Sequence, residues 1–141
     1  LGDPIEIAGL KGAFAGRKAE QSCAIGSVKS NLVHLEVAAG IAGLIKTGLC
    51  LQHCTLVLTL HMQRENPALK LAEGALYVNR ETRNWETSAG LRTAGLSAFG
   101  IGGTNAQVIL QEALATLASD AGARRAICCA SLRRTSRRLV G

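Results

Sequence analysis

The chain has 141 residues and a mass of 14.7 kDa, enough for one domain with a small core and too little for two. Apolar residues make up 48% and glycine occupies 16 positions against 2 prolines, which excludes a disordered body and suits tight turns with close backbone contacts. The formal charge of +6 sits in the tail, since Arg124, Arg125, Arg133, Arg134, Arg137 and Arg138 all follow the last acid, Asp120; residues 1–120 are formally neutral, which argues against a nucleic-acid surface on the body.

The opening, Leu1-Gly2-Asp3-Pro4-Ile5-Glu6, has no initiator methionine and reads as a fragment entering a helix. Asp3 as cap and Pro4 at the first helical position predict a helix over about 4–15. The apolar run over 22–28, broken by Gly26, predicts a buried strand that delivers Lys29, Ser30 and Asn31 at its end. Residues 35–51 predict one long helix with Glu36 in its first turn and Lys46 later, the charge order that suits the helix dipole. Between those charges every residue is apolar or glycine, the pattern of a central helix buried on all sides.

Strands are predicted over 55–60 and 75–78, with a turn at Asn66-Pro67 between them and Trp85 in a later loop. Residues 93–99 and 106–111 predict two strands joined by Gly100-Ile101-Gly102-Gly103-Thr104-Asn105, a β-hairpin with a tight turn. A phosphate cradle is a weaker reading of that turn, because a Rossmann or P-loop turn opens a helix and this one leads to another strand. Gly26-Ser27-Val28-Lys29-Ser30 resembles a P-loop tail, but its spacing from the earlier glycine is wrong and no Walker-type run precedes it. Residues 114–141 show no sustained apolar period and read as a linker or flexible arginine-rich tail. That tail is a usable electrostatic patch for nucleic acid or acidic membrane, but it lacks aromatic stacking residues and an amphipathic period.

Cys23, Cys50, Cys54, Cys128 and Cys129 show neither a C-x-x-C framework nor the histidine spacing of a zinc site, so no metal is expected and a reducing compartment fits best. The apolar run over 37–45 falls far below the roughly 20 residues of a membrane span, and no signal-like region opens the chain. The expected location is the cytoplasm.

A lone histidine such as His34 is by default a hydrogen-bonded structural residue. Its company changes that reading. Gly26-Ser27-Val28-Lys29-Ser30-Asn31, then His34-Leu35-Glu36, then Ala38-Ala39-Gly40-Ile41-Ala42-Gly43-Leu44-Ile45-Lys46 closely resemble the lysine and second-histidine motif of β-ketoacyl synthases of the polyketide type. Leu1-Gly2-Asp3-Pro4-Ile5-Glu6 resembles the segment after that family's first catalytic histidine, and Ala94-Gly95-Leu96-Ser97-Ala98-Phe99-Gly100 with Gly102-Gly103-Thr104-Asn105-Ala106 resembles its C-terminal gating loop. Asn66-Pro67, Trp85 and Arg92 also stand in family order, so the resemblance spans about residues 1–113, a partial ketosynthase C-terminal domain.

The resemblance implies an α/β, thiolase-like fold, in which this chain supplies the C-terminal half: a mixed sheet with a buried central helix, then the basic tail. It implies decarboxylative Claisen condensation of an acyl thioester with a malonyl-type extender. The implied partners are an acyl carrier protein, the missing N-terminal half and a second copy in a homodimer, with no membrane. No cofactor is expected to bind, because the substrates ride on the carrier's phosphopantetheine.

His34 matches the second catalytic histidine and Lys29 the motif lysine, with Asn31 and Glu36 as structural support. Phe99, Gly100, Ile101, Gly102, Gly103, Thr104 and Asn105 match the loop that shapes the acyl pocket, with Asn105 expected to pin it. The nucleophilic cysteine and first histidine have no match in these residues, so no activity is expected from them alone. A non-catalytic ketosynthase remnant is the rival reading. The family usually has glycine where Val33 stands, which predicts backbone strain there if φ is positive. Ile101, Gln107 and Val57-Leu58 also depart from the usual Phe, His and Pro pair. The wording leans toward polyketide rather than fatty acid synthesis.

Overall fold

A computed structural model describes residues 2–16, 23–87 and 90–113. The expectations for 114–141, including the basic tail, lie outside the described residues. The helices are α1 (Gly2–Ala13), α2 (Lys29–Leu32) and α3 (Ala39–Gln52). The strands are β1 (Cys23–Ile25), β2 (Thr55–Leu56), β3 (Leu76–Val78), β4 (Arg83–Asn84), β5 (Thr93–Phe99) and β6 (Asn105–Gln111).

Helix α1 begins at Gly2, earlier than an Asp3 cap with Pro4 at the first helical position predicts. Proline is tolerated there because the N–H groups of a first turn have no intrahelical acceptor, and Asp3 inside that turn complements the dipole. Ile7, Leu10 and Phe14 fall on one face at helical spacing. They pack with Leu71 and Leu76, and Cys23, Ile25, Leu69 and Val78 complete the cluster. Under that cover β1 runs parallel to β3, with Cys23 opposite Leu76 and Ile25 opposite Val78.

The strand predicted over 22–28 ends at Ile25. Ser27 stops it: its Oγ accepts the Lys29 N–H at 3.2 Å, and the Val28 carbonyl accepts from Asn31 and Leu32 at 2.9 and 3.1 Å. A serine side chain that satisfies a backbone donor locally offers the chain an alternative to the ladder. Lys29, Ser30 and Asn31 therefore stand on a single helical turn rather than at a strand end. The strand predicted over 55–60 likewise shortens to Thr55–Leu56, paired antiparallel with Arg83–Asn84. Buried Asn79 takes over beyond it, its Nδ2 donating to the carbonyls of Leu56, Val57 and Glu81 at 3.2, 2.9 and 2.7 Å. At the predicted Asn66-Pro67 turn, Asn66 Oδ1 caps a 3-10 turn, Pro67–Leu69, by accepting the Ala68 N–H at 3.0 Å.

The long helix predicted over 35–51 is divided. A 3-10 turn, Glu36–Ala38, precedes α3, and Glu36 at φ +47° prevents one continuous helix. Glycine on α3 allows the close approach that the sequence suggests: a Cβ at Gly43 would lie 2.8 Å from Leu96 Cδ1 on β5, and one at Gly40 would lie 3.4 Å from Ala98 Cβ. Burial on all sides, however, holds only for this face. Val37, Ile41, Ile45 and Leu49, at four-residue spacing, are exposed, because no described residue covers them.

The predicted hairpin forms, with β5 and β6 antiparallel from Thr93 opposite Gln111 to Phe99 opposite Asn105. Its base is closed by Arg92 and Glu112. The Arg92 N–H and Nη1 donate to the two carboxylate oxygens at 3.0 and 2.5 Å, while Arg92 Nε donates to the Trp85 carbonyl at 2.6 Å. The Arg92 backbone N–H first, and its guanidinium second, hold the Glu112 carboxyl below the usual carboxylate range. A carboxylate whose folded pKa is depressed stabilises the fold above its unfolded pKa of about 4.3, and that contribution fades as pH falls through the lower folded value. Thermal midpoints of Glu112→Gln and wild-type protein, followed from pH 7 down to pH 3, should therefore converge on acidification. Parallel curves would mean that the bridge does not form in solution.

Among the described residues, no helix is long and apolar enough to cross a membrane, and no group of three or more His, Cys, Asp or Glu residues is placed to hold a metal ion.

Candidate active site

The polar segment that leaves β1 folds into a short relay. Ser27 Oγ fixes the start of α2, the Val33 N–H donates to the Lys29 carbonyl at 3.0 Å, and the chain then reverses at Val33 with φ +63° and ψ −172°. This is the position just past a helix end where glycine is the usual residue. The backbone strain that sequence predicts for Val33 is thus present, and its side chain is 77% exposed.

The next residue is His34. Its Nδ1 accepts the backbone N–H of Glu36 at 2.9 Å, and the positive φ of Glu36 belongs to the same turn. A ring nitrogen that accepts carries no proton, so the neutral imidazole holds its proton on Nε2. Because His34 is exposed, that Nε2–H is a donor available to a bound group. Glu36 contributes its backbone to this arrangement. Lys29 is also exposed, and its ammonium has no hydrogen-bond or ion-pair partner among the described residues, leaving an open positive charge on the turn before the histidine. Asn31 does accept a hydrogen bond: Lys46 Nζ, reaching across from α3, donates to Asn31 Oδ1 and to the Ser27 carbonyl, both at 2.9 Å. Burial holds the Lys46 ammonium below the ordinary lysine range, with Cys50 opposing that shift.

The second group of expected site residues lies at the hairpin tip. The Gly100 N–H donates to the Thr104 carbonyl and the Gly103 N–H to the Gly100 carbonyl, both at 2.9 Å, and Gly103 has φ +83°. The turn is closed by backbone groups, with Asn105 entering β6 as the register partner of Phe99. Phe99, Gly100, Ile101, Gly102, Gly103, Thr104 and Asn105 are all exposed. The turn carrying Lys29 and His34 and the hairpin tip are brought to the same end of α3, since Gly40 near its start packs on Ala98, the residue before Phe99. Between helix and hairpin lies an apolar groove of about 180 Å³ lined by Gly40, Ile41, Leu44, Leu96, Ala98, Ala106 and Val108.

Sequence reasoning missed the part that Lys46 plays in this site. Lys46 reads as a dipole charge, because the groups it holds are 15 and 19 residues away in the chain. The signal available for Lys46 was a single cation in an otherwise uncharged helix.

Comparison with known proteins gives a consistent picture. The model of the β-ketoacyl synthase C-terminal domain matches residues 1–63, and that of the ketoacyl-synthetase C-terminal extension matches residues 66–137. The chain is 55% identical over 115 residues to a phenolphthiocerol/phthiocerol polyketide synthase of Mycobacterium tuberculosis, covering 80% of this chain and 8% of that protein. It is 51% identical over 122 residues to the polyketide synthase PksM of Bacillus subtilis, covering 79% of this chain and 3% of that protein. Among solved structures, the ketosynthase from module 6 of the Bacillus subtilis bacillaene synthase superposes with a TM-score of 0.75 at 44% identity, covering 80% of this chain and 22% of that one. The oxazolomycin ketosynthase domain of Streptomyces albus superposes with a TM-score of 0.78 at 43% identity, covering 86% and 22%. The chain therefore spans a small part of each protein it matches.

Proposed function

The chain belongs to the β-ketoacyl synthase family, as its C-terminal domain, and on that premise we propose that it carries the enolate-stabilising part of a decarboxylative condensation in polyketide assembly. The observation that supports this reading is the His34 ring, whose Nδ1 accepts the Glu36 N–H and whose exposed Nε2–H is left to donate.

Decarboxylation of a malonyl thioester breaks the bond to the carboxylate carbon and leaves its electron pair on the α-carbon, delocalised onto the thioester oxygen. A donor fixed at that oxygen stabilises charge where it develops and is worth about 10²–10³ in rate. His34 is the donor. Lys29 adds an open cation one turn earlier and does not bond to the substrate covalently. The α-carbon then attacks an acyl group held as a thioester on a cysteine, and the thiolate leaves as the new carbon–carbon bond forms. That cysteine and a first histidine come from residues outside the matched C-terminal domain.

Phe99 and the turn over 100–105 border the acyl path, with the apolar groove between α3 and the hairpin beside it. Ile101 stands fully exposed at the tip, where the family usually has a larger ring. An acyl carrier protein delivers both substrates on phosphopantetheine, and the whole synthase pairs as a dimer. The non-catalytic alternative is not favoured, since the relatives and solved neighbours are polyketide synthases and ketosynthases.

The test is to incubate the native protein that contains this chain with an acyl thioester and a malonyl group on carrier protein. Carbon dioxide and a β-ketoacyl thioester should form in equal amounts. Acyl transfer without carbon dioxide release, or no reaction with either carrier, would overturn the assignment.

A further inference from the structure

Helix α2 is one turn long, far below the length at which a helix persists unaided. It nevertheless carries Lys29 and leads through Val33 directly into His34. Its own backbone bonds are few, from Asn31 and Leu32 to Val28 and from Val33 to Lys29. The residue that ends it is held in a conformation that disfavours a β-branched side chain, so the turn is under pressure to relax.

Within the turn, Ser27 Oγ accepts the Lys29 N–H and Ser30 Oγ donates to the Ser27 carbonyl; a side chain from outside it also opposes that relaxation. Lys46 Nζ binds the Ser27 carbonyl before the turn and Asn31 Oδ1 within it, both at 2.9 Å. These are charge-assisted bonds, among the stronger ones available to a side chain. Lys46 in turn is carried by the regular helix α3, which Gly40 and Gly43 seat on the hairpin. We infer that Lys46 is a positioning residue, which ties the Ser27–Asn31 turn to α3 and thereby sets where His34 presents its Nε2–H. The part of this inference that concerns reaction rate rests on the ketosynthase reading; the tether itself does not. The lowered pKa of Lys46 reflects its partial removal from bulk water, and the bonds to the two oxygens are what keep the ammonium on the turn in spite of it.

The experiment uses the native protein with Lys46→Met, Lys46→Arg and Asn31→Leu. Amide hydrogen exchange at Asn31, Leu32 and Val33, together with malonyl-carrier decarboxylation, gives the two readouts. In Lys46→Met, exchange at these three amides should rise roughly tenfold or more while the hairpin and α1 keep wild-type protection. A small displacement of a reacting group is costly, so kcat should fall about tenfold or more with KM within about twofold. Lys46→Arg should recover most of both, and Asn31→Leu, which removes one of the two acceptors, should move both in the same direction by less.

Unchanged exchange at 31–33 in Lys46→Met overturns the inference whatever the activity. Raised exchange with wild-type kcat also overturns it, because Lys46 would then only hold the backbone. If the wild-type protein itself decarboxylates no malonyl thioester, the ketosynthase reading falls, and the exchange pattern still decides whether Lys46 holds the turn.

Discussion

Replacing His34 with alanine should lower the rate of malonyl-thioester decarboxylation by about 10²–10³, the loss expected for one fixed donor at a developing oxyanion. The tautomer is what makes the ring a donor. Nδ1 is committed to the Glu36 N–H, which leaves Nε2 to carry the proton, and the ring is exposed on its own turn rather than packed in a core. Truncation therefore removes the donor without opening a cavity, and water can replace the lost bond to the Glu36 N–H. The thermal midpoint should stay close to wild type. Glutamine supplies an N–H at similar reach, so His34→Gln should retain more rate than His34→Ala. The readout is carbon dioxide release from malonyl-carrier protein, measured apart from acyl transfer. An alanine variant within about tenfold of wild type would remove His34 from the chemistry, because an oxyanion donor is not so easily spared.

How much of this site could be read from sequence depends on the range of the interactions that build it. The hairpin was legible because alternating strands and a glycine-rich turn are local signals, and β5 matches its expected range while β6 begins one residue early. The α3 helix was legible in existence but not in its start, since the composition of 35–51 gives no sign that Glu36 takes φ +47° to hold the His34 ring. Its apolar composition correctly marks a buried face against Leu96 and Ala98. The same composition says nothing about what covers Val37, Ile41, Ile45 and Leu49.

Lys29 and His34 were found by their motif, whereas the long-range polar contacts of the fold around them were not. Lys46 bonds a carbonyl 19 positions back, Asn79 bridges to Leu56 and Val57, and Arg92 pairs with Glu112 twenty positions on. Each is a polar residue whose meaning lies in a distant backbone group or side chain. Hydrophobic periodicity carries no trace of such contacts, because it reports which face is dry and not which oxygen a side chain reaches.

Replacing Val33 with glycine should raise stability, against the usual direction of glycine substitutions. Val33 has φ +63° and ψ −172°, a region populated almost only by glycine and costing other residues about 1–3 kcal/mol. Removing the isopropyl group gives up little burial, because Val33 is 77% exposed. The opposing term is the greater freedom of glycine in the unfolded chain, about 0.5–1 kcal/mol. The backbone term wins, and the net gain is about 0.5–2 kcal/mol, seen as a rise of a few degrees in the thermal midpoint of the native protein. Alanine is the discriminating control. It removes the β-branch but keeps a Cβ, so most of the strain stays, and Val33→Ala should gain much less than Val33→Gly. Equal gains from both would assign the effect to side-chain crowding rather than to φ. A loss with glycine would mean that Val33 does not hold a positive φ in solution, and the Leu32–His34 connection would then have to present the imidazole differently.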